Sequence, residues 1–185
     1  RFIDVSEHRS TLPPTYNLYR RVLSEPNYDQ KLDRDRALFY PLYITSFCLW
    51  DSLQENSWFG AKQTIILSAS SKTSIGLAYG LHIDETAPKA IGITSERNLD
   101  AVVKLGLYDE VYTYDQLADI NSEIPTVIVD MSGNNEVLVD LHKRLGDLMK
   151  FTFKVGLTHW KESNPNKGII RERSKFFFAP SHIQK

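Results

Sequence analysis

Short runs of apolar residues alternate with amphipathic segments between residues 64 and 155. Each run is continuously apolar, which is typical of parallel strands covered on both faces. The segments between the runs place apolar residues at helical spacing. This alternation predicts a doubly wound, mainly parallel α/β sheet of the Rossmann type, with about six strands and helices on both faces. The runs are Thr64–Leu67, Ala90–Thr94, Glu110–Tyr112, Thr126–Val129 and Leu148–Val155.

The chain before the first run divides into two parts. Apolar residues recur at helical spacing between Leu38 and Glu55, which predicts a helix packed on the core. Residues 1–37 are polar and rich in Tyr and Pro, so we expect an irregular arm with a few short helical turns. We therefore divide the chain into an arm over residues 1–37 and a domain over residues 38–185. Phe176–Phe178 is interpreted as a last strand or a docking segment.

Composition narrows the class of protein. An apolar fraction of 42% in 185 residues is enough for one domain with a real core. The net charge of −1 gives no electrostatic support for nucleic-acid or membrane binding, and no apolar stretch is long enough to cross a bilayer. Cys48 is the single cysteine, so an internal disulfide is excluded, and a reducing, cytoplasmic location is expected.

Residues 64–78, TIILSASSKTSIGLA, carry the strongest chemical signal. An apolar strand ends in small hydroxyl residues and a lysine, and a helical pattern follows. The start of a helix presents unpaired N–H groups and the positive end of its dipole, so an anion is stabilised there. The stretch predicts a site for the phosphates of a nucleotide or dinucleotide. Its candidate ligands are Ser70, Ser71, Lys72, Thr73 and Ser74, with Gly76 at the helix-packing position.

The end of the second predicted strand indicates which dinucleotide is preferred. An NAD site usually places a carboxylate here to bind the ribose 2′-hydroxyl. This chain has Ser95 at the position and Arg97 just beyond it, and a hydroxyl with a guanidinium suits a 2′-phosphate. We therefore expect NADP(H) in preference to NAD, although Glu96 leaves NAD open.

Two alternatives remain open on the same residues. In the first, Ser71-Lys72-Thr73 is the end of a P-loop and Asp130 binds magnesium. The P-loop is the weaker interpretation, because Ile66 and Ser71 occupy the positions of its two glycines. In the second, the stretch is a serine-rich helix start in an α/β fold that binds no nucleotide.

Several segments also resemble a known protein family. They are Leu67 to Leu81 with Ser-Ala-Ser-Ser-Lys-Thr at its centre, His8-Arg9 leading to Tyr16–Tyr19, Pro41–Ser46, and Phe177–Ser181. Together they resemble a poorly characterised family of bacterial and fungal proteins, distantly related to zinc-free medium-chain dehydrogenase/reductases of the quinone-reductase type. The resemblance implies that this chain is the Rossmann domain of such a protein, and that a catalytic domain precedes it.

The resemblance also assigns roles to individual residues. Thr45 and the loop after the fifth strand, with Gly156 and Thr158, would lie near the nicotinamide. Tyr114 would lie beside the adenosine 2′-phosphate, and Gly133 near the adenine-side ribose. The superfamily's zinc-dependent branch needs a set of Cys and His ligands that one cysteine and scattered histidines cannot supply, so we expect no metal. No catalytic residue is identified.

The functional expectation that follows is an NADP-binding domain of a zinc-independent oxidoreductase. Its substrate is a small molecule held against a missing catalytic domain, so this piece alone is expected to be inactive. The alternative is a non-enzymatic nucleotide-sensing or scaffold domain that has lost cofactor binding. No nucleic-acid or membrane partner is expected, and a homodimer stays an open alternative.

Overall fold

The computed structural model describes residues 1–156 and 168–183. Six parallel strands form the central sheet in the order β5-β4-β3-β6-β7-β8. The strands are β3 (Gln63–Leu67), β4 (Lys89–Thr94), β5 (Glu110–Thr113), β6 (Thr126–Asp130), β7 (Met149–Lys154) and β8 (Ser174–Phe176). The predicted fold class is therefore confirmed. Of the two interpretations of Phe176–Phe178, the strand is the one that β8 supports, although β8 ends at Phe176.

Helices cover both faces of this sheet. They are α1 (Asp33–Glu55), α2 (Lys72–His82), α3 (Leu99–Lys104), α4 (Asn135–Leu145) and α5 (Ala179–Ile183). Leu49, Leu53 and Leu77 bring α1 and α2 into the core on one face, and Leu138 and Leu141 bring α4 into the core on the other. No helix in the described part of the chain combines the length and the apolarity that a membrane span requires.

The segment before the sheet is more ordered than an irregular arm. β1 (Phe2–Ile3) pairs antiparallel with β2 (Leu18–Tyr19), and short 3₁₀ turns connect the remaining residues up to α1. Helix α1 begins at Asp33, before the predicted start at Leu38. The Asp33 carboxylate accepts a hydrogen bond of 2.8 Å from the Tyr28 hydroxyl. An acidic residue in the first turn also favours the helix dipole.

Candidate functional site

The predicted phosphate and ribose residues lie in the turns after three strands of the sheet, β3, β4 and β6. β3 and β6 are adjacent and parallel, and Leu67 pairs with Asp130 at their ends. The helices that follow them, α2 and α4, pack on opposite faces of the sheet. This is the switch point at which open α/β sheets leave a crevice for a ligand.

Two of the predicted phosphate ligands form hydrogen bonds with each other in the first turn of α2. Ser71 is the N-cap of α2, and its hydroxyl oxygen accepts a hydrogen bond from the Ser74 N–H at 3.2 Å. The Ser71 and Ser74 hydroxyls lie 2.8 Å apart, and Ser74 is fully buried. These two hydroxyls therefore fix the first turn of the helix.

The remaining groups of this turn are open. The backbone N–H groups of Ser70, Lys72 and Thr73 donate no hydrogen bond to any described residue. The Lys72 side chain is exposed at the first position of the helix and forms no ion pair among the described residues. Unbonded N–H groups, the positive end of a helix dipole and a cation are together what a phosphate group requires. The residues present therefore fit a phosphate-bearing ligand.

Two tyrosine hydroxyls contact the backbone of the turn after β3. Ser68 has a left-handed φ of 61°, a region that favours glycine. The Tyr114 hydroxyl, which the resemblance places beside a 2′-phosphate, accepts a hydrogen bond from the Ser68 N–H at 3.1 Å. The Tyr108 hydroxyl donates to the Ala69 carbonyl at 2.8 Å. Burial raises the pKa of both tyrosines, so both keep their protons at neutral pH.

Sequence reasoning missed Tyr108, and it also missed Asn98. The Asn98 amide donates to the Ser70 hydroxyl at 3.0 Å and to the Ser95 hydroxyl at 3.1 Å. Asn98 thereby joins the turn after β3 to the turn after β4. Arg97 lies beside it, exposed and without a hydrogen bond or ion pair to any described residue. In the sequence, the only indication of this bridge is that an asparagine follows the arginine at the end of the second predicted strand.

The turn after β6 is occupied by a carboxylate of the chain. Asp130 is fully buried, and its Oδ1 accepts from the Ser132 N–H at 2.9 Å, the Ser132 hydroxyl at 2.7 Å and the Gly133 N–H at 3.0 Å. Its Oδ2 is buried without a hydrogen-bond partner. Burial raises the pKa of Asp130, while these hydrogen bonds and the Lys154 charge act in the opposite direction. Gly133 takes a positive φ of 67°.

Of the residues predicted to lie near the nicotinamide, the structure describes Thr45 and Gly156. A Cβ added to Gly156 would lie 2.3 Å from the Met131 carbonyl oxygen, so the chain after β7 runs directly against the turn after β6. Thr158, with Leu157, His159 and Trp160, lies outside the described residues. Thr45 is half-buried on α1, and its hydroxyl donates to the Pro41 carbonyl at 3.0 Å.

Helix α1 reaches the site through the residue after Thr45. The Ser46 hydroxyl lies 2.8 Å from the Thr73 carbonyl in the first turn of α2. A Cβ added to Gly76 would lie 2.6 Å from Ser46 Oγ, so Gly76 permits close packing of α2 on α1. Gly76 therefore lies at a close helix contact, and its nearest neighbour there is α1.

The described residues include one cluster of groups that could ligate a metal, formed by Asp51, Glu55 and His182. It lies at the contact between α1 and α5, apart from the three turns of the crevice. Its closest pair is a hydrogen bond in which His182 Nε2 lies 2.7 Å from Asp51 Oδ2. The cluster is therefore part of the packing between these two helices.

The strand order, the crevice and the anion-binding helix start define a Rossmann-type α/β domain. The chain belongs to the family described as "Protein of unknown function (DUF2855)", whose model matches residues 1–185. No curated protein matches it. Among solved structures it is similar to glucose dehydrogenase from Haloferax mediterranei, with a TM-score of 0.52 and 13% identity over 84% of this chain. The chain spans 50% of that protein, and the likeness shows the fold alone.

Proposed function

We propose that this chain is the NADP-binding Rossmann domain of a zinc-independent oxidoreductase related to medium-chain dehydrogenase/reductases. The observation that carries the proposal is the set of unbonded N–H groups of Ser70, Lys72 and Thr73 at the switch point of the sheet. A pyrophosphate accepts several such bonds at once and neutralises the helix dipole and the lysine. The similarity to a glucose dehydrogenase fold supports a dinucleotide as the ligand.

The preference for NADP rests on the turn after β4. Asn98 ties the Ser95 hydroxyl to the phosphate turn, so Ser95 lies at the rim of the same site. The neighbouring Arg97 guanidinium is exposed and uncommitted among the described residues. A 2′-phosphate would gain a charge-assisted hydrogen bond there that a 2′-hydroxyl would not gain. Tyr114 contributes by holding the turn, and Gly133 and Gly156 allow the remainder of the dinucleotide to pass closely over the two neighbouring turns.

The test is titration calorimetry of the chain with NADP and with NAD. We expect binding of both, with NADP at least tenfold tighter. Arg97→Ala should lower NADP affinity about tenfold and leave NAD affinity unchanged, because only the 2′-phosphate contact is lost. Arg34→Ala is the matched control, since Arg34 is an exposed arginine on α1. Absence of affinity for either dinucleotide would refute the cofactor and favour the non-enzymatic sensing or scaffold alternative.

A second domain is part of the same proposal. Residues 1–47 expose many large apolar side chains, including Phe2, Ile3, Leu23, Leu38 and Phe39. Exposed apolar side chains, where they form a contiguous patch, mark an interaction site. A catalytic domain seated on it would trap the substrate against the nicotinamide and exclude water.

Because such a domain would hold the second reactant, we expect the chain to bind NADPH without oxidising it. The assay follows NADPH absorbance with quinones, enones and aldehydes as acceptors. Loss of positioning forfeits on the order of 7 kcal/mol of barrier lowering. Rapid NADPH oxidation by the chain alone would contradict the need for a second domain.

A further inference from the structure

Tyr108 is a half-buried tyrosine in the loop before β5, and it contacts the backbone of the phosphate turn. The next residue, Asp109, is bound twice to Ala90 on β4. Its N–H donates to the Ala90 carbonyl at 2.9 Å, and its carboxylate accepts from the Ala90 N–H at 2.7 Å. These two hydrogen bonds fix the loop against β4. From this position the Tyr108 hydroxyl donates to the Ala69 carbonyl at 2.8 Å.

A glycine on β4 makes room for the tyrosine ring. A Cβ added to Gly92 would lie 2.9 Å from Tyr108 Cδ1 and 3.1 Å from the Ala69 Cβ. A side chain at this position would therefore displace the ring or the turn. Because Gly92 has none, the Tyr108 ring lies directly against the strand while its hydroxyl reaches Ala69, which is fully buried.

The hydrogen bond from Tyr108 determines the direction of the next N–H group. A carbonyl oxygen can only accept, so the shared proton belongs to the tyrosine. The Ala69 carbonyl and the Ser70 N–H are the two ends of one planar trans peptide, and they point in opposite directions. With its carbonyl held by Tyr108, this peptide directs the Ser70 N–H away from the tyrosine. That N–H donates to no described residue, and it is one of the three open groups of the phosphate turn.

The preceding peptide of the turn is held by other groups. The Ser68 carbonyl accepts from the Ser71 N–H at 2.8 Å, and the Ala69 N–H donates to a carbonyl of β4 at 2.8 Å. The Ala69 carbonyl, by contrast, accepts from Tyr108 and from no other group in the described part of the chain. The direction of the Ser70 N–H therefore depends on a single hydroxyl.

We infer that Tyr108 is a positioning residue for the phosphate site, and that it fixes the direction of the Ser70 N–H through the Ala69 carbonyl. Asn98 donates to the Ser70 hydroxyl at 3.0 Å, so Asn98 and Tyr108 act on different groups of the same residue. The assignment of the ligand as a dinucleotide rests on the function proposed above. The direction of the Ser70 N–H can be measured in the protein without any ligand.

The first measurement is the residual dipolar coupling of the Ser70 N–H, recorded by NMR on the ligand-free chain. This coupling reports the direction of the N–H bond in the aligned protein. In Tyr108→Phe it should differ from the wild-type value by at least half, because the freed peptide turns or averages over several directions. The couplings at the start of α2 should stay unchanged. Tyr112→Phe is the matched control, since its hydroxyl donates to the exposed Glu110 at 2.6 Å.

The second measurement is calorimetric titration of Tyr108→Phe with NADP and with NAD. Both affinities should fall at least fivefold and by the same factor, because the two dinucleotides share the pyrophosphate that the Ser70 N–H would bind. An equal loss distinguishes Tyr108 from Arg97, whose replacement should affect NADP alone.

A wild-type coupling at Ser70 in Tyr108→Phe would overturn the inference. Unchanged affinity for both dinucleotides, or a loss confined to one of them, would also overturn it. Failure of the wild-type chain to bind NADP or NAD would refute the proposed function, while the dipolar coupling would still decide whether Tyr108 sets the direction of the Ser70 N–H.

Discussion

The turns after β3 and β6 lie side by side and differ in how their N–H groups are used. In the turn after β3, residues 68–73, the N–H groups of Ser70, Lys72 and Thr73 are unbonded among the described residues. In the turn after β6, residues 130–134, Ser132 and Gly133 donate to the Asp130 carboxylate. We refer to them as the open turn and the closed turn. The closed turn carries its own anion, and the open turn leaves the same position to a ligand.

This difference separates stability from binding. A phosphate at the closed turn would lose the N–H donors to Asp130 and would meet a like charge, so it is directed to the open turn. Changes in the closed half of the sheet should therefore lower the free energy of unfolding. Changes in the open turn should lower ligand affinity at a smaller cost in stability. The predictions below test this division, from the largest expected effect to the smallest.

Removing the internal anion should have the largest effect. Asp130→Ala leaves three hydrogen-bond donors of the partly buried turn without their acceptor, and should lower the free energy of unfolding by about 3 kcal/mol. Urea unfolding measures the change. Asp115→Ala, at an exposed aspartate, is the control and should stay within about 0.5 kcal/mol of the wild type. A loss below about 1 kcal/mol in Asp130→Ala would show that the closed turn does not depend on its carboxylate.

The second prediction concerns pH and the helix that follows the closed turn. His142 is buried on α4, accepts from the Ile170 N–H at 3.0 Å and has Nε2 2.9 Å from the Thr152 hydroxyl. Because Nδ1 accepts, the ring is neutral and Nε2 donates. Burial lowers the pKa of His142 to about 4, below its value of about 6.5 in the unfolded chain. The unfolded state therefore binds the proton first.

The contribution of neutral His142 to the free energy of unfolding is fully present above pH 6.5 and is lost as the pH falls towards 4. Between pH 7.5 and pH 5 the wild type should lose about 2 kcal/mol more than His142→Gln, which has no titrating ring. Urea unfolding at the two pH values checks this difference. An equal loss in both proteins would show that His142 remains accessible to protons in the folded state.

Patterns of neighbouring residues were sufficient for the sheet. The predicted and observed bounds of β3 to β6 differ by at most one residue at an end, because buried parallel strands are marked by continuous apolar runs such as Thr126–Val129. The open turn was also located correctly by sequence, since small hydroxyl residues between a strand and a helix are a local signal. Its use as a cofactor site stays a prediction.

The side chains that hold the turns of the site in place could not be predicted from the sequence. Tyr108 and Tyr114 contact a turn that lies some 40 residues earlier in the chain, at sequence separations of 39 and 46. Asn98 bridges two turns that only the sheet brings together. Such contacts depend on strand order and on the direction of single side chains, and neither leaves a periodic signal in the sequence.

Substitutions at Ser71, the N-cap of α2, test whether a carboxylate in the open turn can replace the ligand. Ser71→Ala removes the acceptor for the Ser74 N–H and should cost about 1 kcal/mol of stability. Ser71→Asp restores a good cap and adds a carboxylate, which makes the open turn resemble the closed one. We expect Ser71→Asp to keep wild-type stability in urea while its NADP affinity falls at least tenfold. Retained affinity would show that the phosphate lies away from this turn.

The smallest effect is expected at Lys72, where stability and affinity should change in opposite directions. A cation at the first position of a helix is unfavourable for the dipole, so Lys72→Gln should raise the free energy of unfolding by about 0.3 kcal/mol. The same change removes an exposed charge facing the phosphates, and should lower NADP affinity about fourfold, or about 0.8 kcal/mol. Lys104→Gln, near the end of α3, is the matched control and should leave affinity unchanged. Because exposed charges are screened, the fourfold difference should shrink between 0.05 and 0.5 M salt, values spanning about an order of magnitude in ionic strength. Loss of stability in Lys72→Gln with unchanged affinity would place Lys72 among the structural residues and weaken the division between the two turns.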